Sequence, residues 1–344
     1  MKNKKIYILL VIFGVSFNYA QDEIINIPDV VTKVATASGA WLRLETGTKA
    51  IGMGGAAVAS GNGIYAAPYN PAAIGFIDNS EVFFSRTNYI DGDGHSVTGY
   101  ARRLSSTDHI GLHLYHFSTD DMIRRTVEVS DGSLGTFKFQ GICIRGMYTR
   151  TLTDRLKVGV SLKYIREMNW EAYWHTFAFD IGSNFDTGIY GLFLGMSVSN
   201  FGPDVQYRGD AGSYSDANST TGEYSYVMGE FPLPLTFRLG LMKHVIGNDE
   251  SASIIIPGHR LTVAVDGINP IDYTVTSGLG LEYSWNEQAF ARIGTHLGHS
   301  TKGLSIGAGV KFSRISVDYA YLDYGDLEAT HQFGISLDFG DSNR

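Results

Sequence analysis

The feature that most limits the fold of this chain is a two-residue alternation of apolar and polar side chains, which recurs from residue 81 towards the C-terminus. In segments 156–164, 177–185 and 304–312, the large apolar residues lie mainly on one face, and the charged residues lie on the other. This pattern is typical of β-strands that have one apolar and one polar face. Counting all such runs predicts about fourteen strands.

The first twenty residues, 1–20, predict a signal peptide. Lys2, Lys4 and Lys5 form a positive region, residues 6–15 are apolar, and Ala20 suits the last position before cleavage. The alternative is an N-terminal membrane anchor, but the apolar run 6–15 is too short to span a bilayer. No later stretch contains 18 consecutive apolar residues. We therefore expect an exported chain that has no spanning helix.

Charge and motifs argue against several classes of function. The net charge of −8 argues against a nucleic-acid partner. A single cysteine, Cys143, excludes an internal disulfide framework. The Gly-Leu-Ser-Ile-Gly run around Ser305 matches the hydrolase elbow, which requires a strand-to-helix turn, but here it falls inside a predicted strand. We expect no enzymatic activity, no cofactor and no bound metal.

The spacing of the strand-like runs favours a membrane barrel over a soluble secreted β-protein. Connections 118–136, 167–175 and 202–234 are long, and most of the intervening ones are short, as in outer-membrane barrels. Segment 244–259 breaks this rule, because it is long where a short turn is expected. Aromatic residues cluster at strand ends, as interfacial girdles do. The clusters are Tyr164, Trp170, Tyr173 and Trp174; Tyr283 and Trp285; and Tyr319, Tyr321 and Tyr324.

An exported chain of amphipathic strands can enter lipid only as a closed barrel, because an open edge would leave backbone groups unpaired in hydrocarbon. We therefore predict an all-β fold: a transmembrane antiparallel β-barrel of about 14 strands, located in the outer membrane and surrounded by its lipid. The polar faces would line a filled lumen, in which charges of both signs neutralise one another. Those charges are Lys157, Lys163, Asp180, Arg238, Arg260, Asp266, Glu282, Arg292, Lys311, Asp318 and Asp338.

The segment before the strands, residues 21–80, predicts a hatch or plug folded into the lumen. Its turn at Gly52, Gly54 and Gly55 is built of small residues, which allow backbone segments to pack closely. Asn70, Pro71 and Ala72 suit the start of a helix, because Asn caps and Pro tolerates the first position. The alternative is a flexible periplasmic leader, which would not need so many apolar residues. The expected domains are a signal peptide at 1–20, a hatch at 21–80 and a barrel at 81–344.

Three stretches of the sequence also carry a resemblance to a known family. "GTKAIGMGGAAVASGNGIYAAPYNPAAIGF" resembles the N-terminal signature of the PorV/PorQ family, which is related to the FadL-type transporters. "LTDRLKVGVSLKYI" and "VDYAYLDYGDLEATHQFGISLDFG" resemble its middle and its last hairpin. The resemblance implies a FadL-like barrel of fourteen strands with an N-terminal hatch. It also implies a role in type IX secretion or surface attachment, with exported cargo proteins that carry C-terminal sorting domains as partners.

Two classes of function follow. In the first, external loops dock secretion components or exported cargo, and Tyr207, Tyr214, Tyr224 and Tyr226 supply recognition contacts; alternatively, their loop is a disordered polar segment. In the second, the barrel is a FadL-like transporter that binds a hydrophobic solute at the hatch and releases it laterally. That reading requires an apolar pocket between hatch and wall. The charged lumen modestly favours the first class.

Overall fold

The computed structural model describes residues 34–125, 127, 129–209, 213–214, 224–225, 229–248 and 251–340. The expected signal peptide and the first part of the expected hatch lie outside these residues. Within them, long strands follow one another along the chain. The strands are β1 (Ser80–Asn88), β2 (Gly94–Arg103), β3 (Asp108–Ser118), β4 (Phe139–Thr153), β5 (Leu156–Asn169), β6 (Ala172–Asp186), β7 (Leu192–Phe201), β8 (Thr236–Gly247), β9 (His259–Pro270), β10 (Thr276–Trp285), β11 (Ala289–Leu297), β12 (Leu304–Phe312), β13 (Ile315–Asp323) and β14 (Ala329–Asp338).

These fourteen strands form a closed antiparallel barrel. Each strand pairs with the next along the chain, including β7 with β8 across the longest connection. The sheet closes because β14 also pairs with β1, from Glu81 opposite Asp338 to Asn88 opposite His331. Closure leaves no row of unpaired backbone groups along the wall. The predicted fold class is therefore confirmed.

The outer surface of the barrel is an apolar belt. Val160 and Phe177 are 46% and 56% exposed, whereas their chain neighbours Ser161 and Ala178 face inward and are buried. The predicted alternation of faces is thus confirmed. A closed barrel with an apolar exterior is the architecture of outer-membrane proteins, so the predicted location holds. In the part of the chain that the structure describes, no helix is both long and apolar enough to cross a membrane.

The connections between strands lie at the two ends of the barrel, which we call its rims. The long connections 119–138 and 202–235 leave and re-enter the wall at one end, which we call the outer rim because external connections are the longer ones in such barrels. The other end, the inner rim, has mostly short turns, and residues 248–258 are the long exception that the sequence indicated. The prediction of a long connection at 167–175 is wrong. Strands β5 and β6 continue through it and are joined by only residues 170–171, with Trp170 in a left-handed conformation (φ 55°).

The aromatic girdle is only partly confirmed. Trp170, Tyr283 and Trp285 are exposed on the outer surface. Trp174 and Tyr324 are 2% and 4% exposed and face inward, so their assignment to the girdle is wrong. Clustering at strand ends does not distinguish the two faces of a strand, because neighbouring residues point to opposite sides.

Residues 38–77 fill the barrel interior and form the predicted hatch. The hatch contains one short α-helix and three 3-10 helices, of which the last begins at the predicted Asn-Pro-Ala run. They are Ala40–Arg43, Thr48–Gly52 (the α-helix), Ile64–Ala66 and Pro71–Phe76. Val58, Ile64 and Ile74 are completely buried. Glycines in the wall allow the hatch to lie against it, since a Cβ added at Gly159 would stand 2.5 Å from the backbone nitrogen of Ala72.

Candidate functional site

The glycine turn of the hatch meets the barrel wall directly. The helix Thr48–Gly52 is followed by Gly54 and Gly55, which have φ angles of 64° and 75° and so adopt the left-handed conformation that glycine tolerates. The Gly54 N–H donates to Ser305 Oγ at 3.0 Å. A Cβ at Gly54 would lie 2.6 Å from the backbone nitrogen of Thr295. The turn therefore positions the hatch, and Ser305 serves it as a buried hydrogen-bond acceptor inside β12.

Asn70 joins two parts of the hatch to the wall. Its Oδ1 accepts the N–H of Ala72 at 3.0 Å, which caps the helix Pro71–Phe76 as the sequence predicted. Its Nδ2 donates to the carbonyl of Val58 at 2.9 Å and to that of Ser183 on β6 at 3.0 Å. The side chain is completely buried. Asn70 therefore both starts a helix and connects two backbone segments that the sequence does not place together.

The lumen charges largely neutralise one another, as the sequence predicted. Asp180 accepts from Lys163 at 2.6 Å and from Arg145 at 3.2 Å, and all three are buried. A second group lies nearer the inner rim, where Arg292 pairs with Glu282 at 2.6 Å and with Asp318 at 2.7 Å. This second group borders a charged cavity of about 250 Å³ under the hatch. Most of the charged side chains that the wall presents to the lumen are therefore paired with one another.

Three of the predicted lumen charges, Lys157, Arg238 and Asp266, have no charged partner at ion-pair distance among the described residues. Lys157 Nζ lies 4.3 Å from the centre of the Phe76 ring of the hatch. Asp266 accepts the N–H of Val58 in the hatch at 2.8 Å. Arg238, on β8, donates from Nη1 to Ser199 Oγ at 3.0 Å, and its Nε is buried without a partner. Arg238 also lines the groove in the lipid-facing wall that is described below.

A cavity of about 660 Å³ opens at the outer rim, and we call it the mouth cavity. Its large apolar lining residues are Trp41, Leu44, Tyr89, Phe117, Phe139, Tyr207 and Phe231. Glu167 at its side accepts from Trp41 Nε1 at 2.7 Å, from Trp174 Nε1 at 3.0 Å and from the Tyr207 hydroxyl. Because aromatic donors occupy its oxygens, this carboxylate fixes the rings in place. The mouth cavity is therefore an aromatic-lined space.

A second cavity, of about 300 Å³, lies between the hatch and the outer-rim ends of β8–β11, and we call it the inner cavity. It shares Arg43, Leu44 and Tyr89 with the mouth cavity. On one side, Glu45 of the hatch accepts from His296 Nε2 and from Lys302 Nζ, both at 2.9 Å.

The pKa values of Glu45 and His299, which both line this cavity, are shifted. Burial would raise the pKa of Glu45, but the charges of His296 and Lys302 together hold it well below its usual range. Burial, and next the charge of Lys302, lower the pKa of His299 to about 4. His299 is therefore neutral at physiological pH. Glu45 is ionised, and its ion pairs connect the hatch to the outer rim.

A third space, of about 520 Å³, is a groove on the lipid-facing wall, and we call it the wall groove. Its lining is mainly apolar, with Val158, Ile181, Met196, Phe237 and Leu239. Arg238 and Ile268 line both the wall groove and the inner cavity. Nearby, the pairing of β6 with β7 shifts register between Phe179 and Ile181, which is a local irregularity of the wall.

The structure places the predicted site residues in different regions. The predicted hatch residues all lie inside the barrel, but the structure does not bring them together. The turn at Gly52, Gly54 and Gly55 lies against β10–β12, whereas Asn70, Pro71 and Ala72 lie against β5 and β6. Tyr207 is half-buried at the mouth cavity, while Tyr214 and Tyr224 are paired in a small two-stranded sheet, and Tyr226 lies outside the described residues. Sequence reasoning missed the three cavities and Glu167. Among the residues that are described, no group of three or more His, Cys, Asp or Glu side chains could hold a metal ion.

Several solved structures of outer-membrane channels and transporters are similar to this chain. They include the CymD monoaromatic hydrocarbon channel, with 12% identity, a TM-score of 0.56, and 87% of this chain and 98% of that chain covered. A Pseudomonas aeruginosa FadL homologue has 13% identity and a TM-score of 0.53, covering 86% and 99%. The Pseudomonas putida toluene transporter TodX has 12% identity and a TM-score of 0.53, covering 84% and 96%.

This chain has the FadL-type barrel fold. At such low identity the likeness establishes the fold alone. No protein-family model and no curated protein sequence matches the chain. Membership of the PorV/PorQ family stays a prediction from the sequence.

Proposed function

We propose that this protein is a non-enzymatic outer-membrane transporter that carries hydrophobic small molecules from the outer rim to the lipid-facing wall. The observation that carries the proposal is the series of three cavities. The mouth cavity and the inner cavity share Arg43, Leu44 and Tyr89, and the inner cavity and the wall groove share Arg238 and Ile268. Their volumes of about 660, 300 and 520 Å³ suit small ligands.

The comparisons support this reading over secretion. The similar structures are described as a hydrocarbon channel, a FadL homologue and a toluene transporter. The role in type IX secretion, with its secretion components and cargo, has no such support and stays a prediction. The number of charged lumen residues in the sequence argues against an apolar solute. In the structure most of these charges are bound to one another, so this argument is weaker.

The route can be tested by filling the wall groove. Gly267 lines the groove, and a Cβ added there would meet only the Leu239 carbonyl oxygen, at 3.9 Å. Gly267→Trp therefore occupies the groove without disturbing the hatch. Gly146 on β4 is a matched control, because it also faces outward and a Cβ there meets nothing within 4 Å.

The measurement is the rate at which a hydrophobic fluorescent dye, added outside, enters outer membranes that contain each variant at equal abundance. We expect Gly267→Trp to slow entry to near the rate of membranes without the protein, and Gly146→Trp to match the wild type. Equal entry rates for Gly267→Trp and the wild type would refute passage through the wall groove. Equal slowing by both variants would show a general effect of tryptophan on the barrel, which also refutes it.

A further inference from the structure

A row of basic residues crosses the outside of the barrel near the outer rim. Consecutive strand pairings place these residues side by side, because each is the direct partner of the next. The row runs through Arg86, Ser96, His116, Ile142, Arg166 and His175, one residue on each of β1 to β6. We call it the basic row. Neighbouring strands lie about 4.8 Å apart, so Arg86 and Arg166 are separated by about 19 Å along it.

The basic row lies where the apolar belt ends. Arg86, His116, Arg166 and His175 are exposed on the outward face. The outward residues one step closer to the middle of the barrel are apolar on most of these strands. They include Phe84, Leu114, Ile144 and Phe177. The row is therefore at the level of lipid headgroups, directly above a surface that contacts acyl chains.

The two arginines of the row contact uncharged groups of the described residues. Arg86 Nη1 donates to Ser96 Oγ at 3.0 Å, and the Arg166 guanidinium lies 5.5 Å from the centre of the Tyr173 ring. Neither has a carboxylate at ion-pair distance within the part of the chain that the structure describes. At the inner rim, by contrast, the outward-facing Arg150 lies 3.7 Å from Asp108. A basic row without ion pairs among the described residues is unexpected on a chain whose net charge is −8.

We propose that the basic row binds the phosphate groups of anionic lipids in the outer leaflet of the membrane. Guanidinium groups bind phosphate through paired, charge-assisted hydrogen bonds, and this geometry suits Arg86 and Arg166. The adjoining apolar side chains contact the acyl chains of the same lipid. Phosphate recognition and acyl contact together distinguish a lipid from free phosphate. This binding is independent of the proposed passage of small molecules.

The test compares lipids that differ only in phosphate. The detergent-solubilised full-length barrel is titrated with bis-phosphorylated lipid A and with the dephosphorylated form, and bound lipid is counted by native mass spectrometry. The test variant is Arg86→Gln/Arg166→Gln, and Arg86→Lys/Arg166→Lys keeps the charge. Arg102→Gln/Arg150→Gln is the matched control, since both residues are outward-facing arginines at the inner rim. Heat-dependent gel mobility verifies that each variant is a folded barrel.

We expect the wild type to prefer the phosphorylated lipid, and the Gln pair at the basic row to weaken its binding about tenfold. The Lys pair should retain most of the binding, and the inner-rim pair should bind like the wild type. Equal binding of both lipids by the wild type would overturn the proposal, as would equal weakening by the two Gln pairs. Displacement of the lipid by millimolar inorganic phosphate would assign the row to a free anion, which also overturns it.

Discussion

Replacing Asn70 should release the hatch from the wall while leaving the barrel closed. Asn70→Ala removes the acceptor for the Ala72 N–H and the donor to the Val58 and Ser183 carbonyls. Losing the helix cap costs about 1 kcal/mol. Losing each of the two buried hydrogen bonds to a carbonyl costs about 1 kcal/mol more. The docked state of the hatch should therefore lose about 3 kcal/mol, which corresponds to an opening about 100-fold more frequent.

A second substitution separates the two roles of this side chain. Asn70→Asp keeps an acceptor for the N–H of Ala72 but places a carboxylate against two carbonyl oxygens. If the connection between Val58 and β6 is the larger contribution, Asn70→Asp should be at least as disruptive as Asn70→Ala. If the helix cap is the larger contribution, Asn70→Asp should resemble the wild type.

Hydrogen–deuterium exchange of the folded barrel in detergent measures the opening directly. Protection of hatch amides should fall about 100-fold in Asn70→Ala, while the amides of strands β1–β14 keep theirs, and the protection in Asn70→Asp shows which contribution is larger. Asn62→Ala is the control, because Asn62 is an exposed asparagine of the hatch that only accepts from the Tyr65 hydroxyl at 3.1 Å. Unchanged protection in Asn70→Ala would refute the reasoning, and so would a loss as large in Asn62→Ala.

Two further predictions concern the ion pairs. Asp180→Asn leaves Lys163 buried without a charged partner and should lower barrel stability by about 3–5 kcal/mol, seen as a lower melting temperature by heat-dependent gel mobility; the same shift for the exposed Asp338→Asn would contradict a specific effect of burial. Because the pKa of Glu45 is lowered in the fold, its contribution to hatch docking is complete above the ordinary carboxyl pKa of 4.5 and declines as the pH falls below it. Hatch exchange measured from pH 6 to pH 3 should show this decline in the wild type, and a Glu45→Gln barrel with an identical pH profile would contradict it.

The wall of the barrel was predictable because its signal is local. Alternation along β5 and β6 assigns Val160 and Phe177 to the lipid and Lys163 and Asp180 to the lumen without any knowledge of strand pairing. The hatch was predictable for a similar reason, since small residues and the cap at Asn70 are visible in a few positions. The turn between β5 and β6 was not predictable, because Trp170 and its neighbours read as a polar and aromatic loop.

Counting the charged residues of the lumen in the sequence does not predict how they are paired. The charged residues of the wall were predictable one by one, and their number favoured a docking role over an apolar solute. Their pairing was not predictable, because Asp180 meets Lys163 and Arg145 from two other strands. These charges are paired with one another, and aromatic residues of the hatch and the outer rim line the mouth cavity.

The sequence alone determined that this chain makes amphipathic strands and how each strand faces, because a period of two is a property of the strand itself. Tertiary structure decided the closure of β14 on β1, the ion pairs of Glu45 with residues about 250 positions away, and the three cavities. Contacts of that kind depend on strand register and on where the hatch lies against the wall. Register and docking are settled by the packing of the whole barrel, so no local pattern records them.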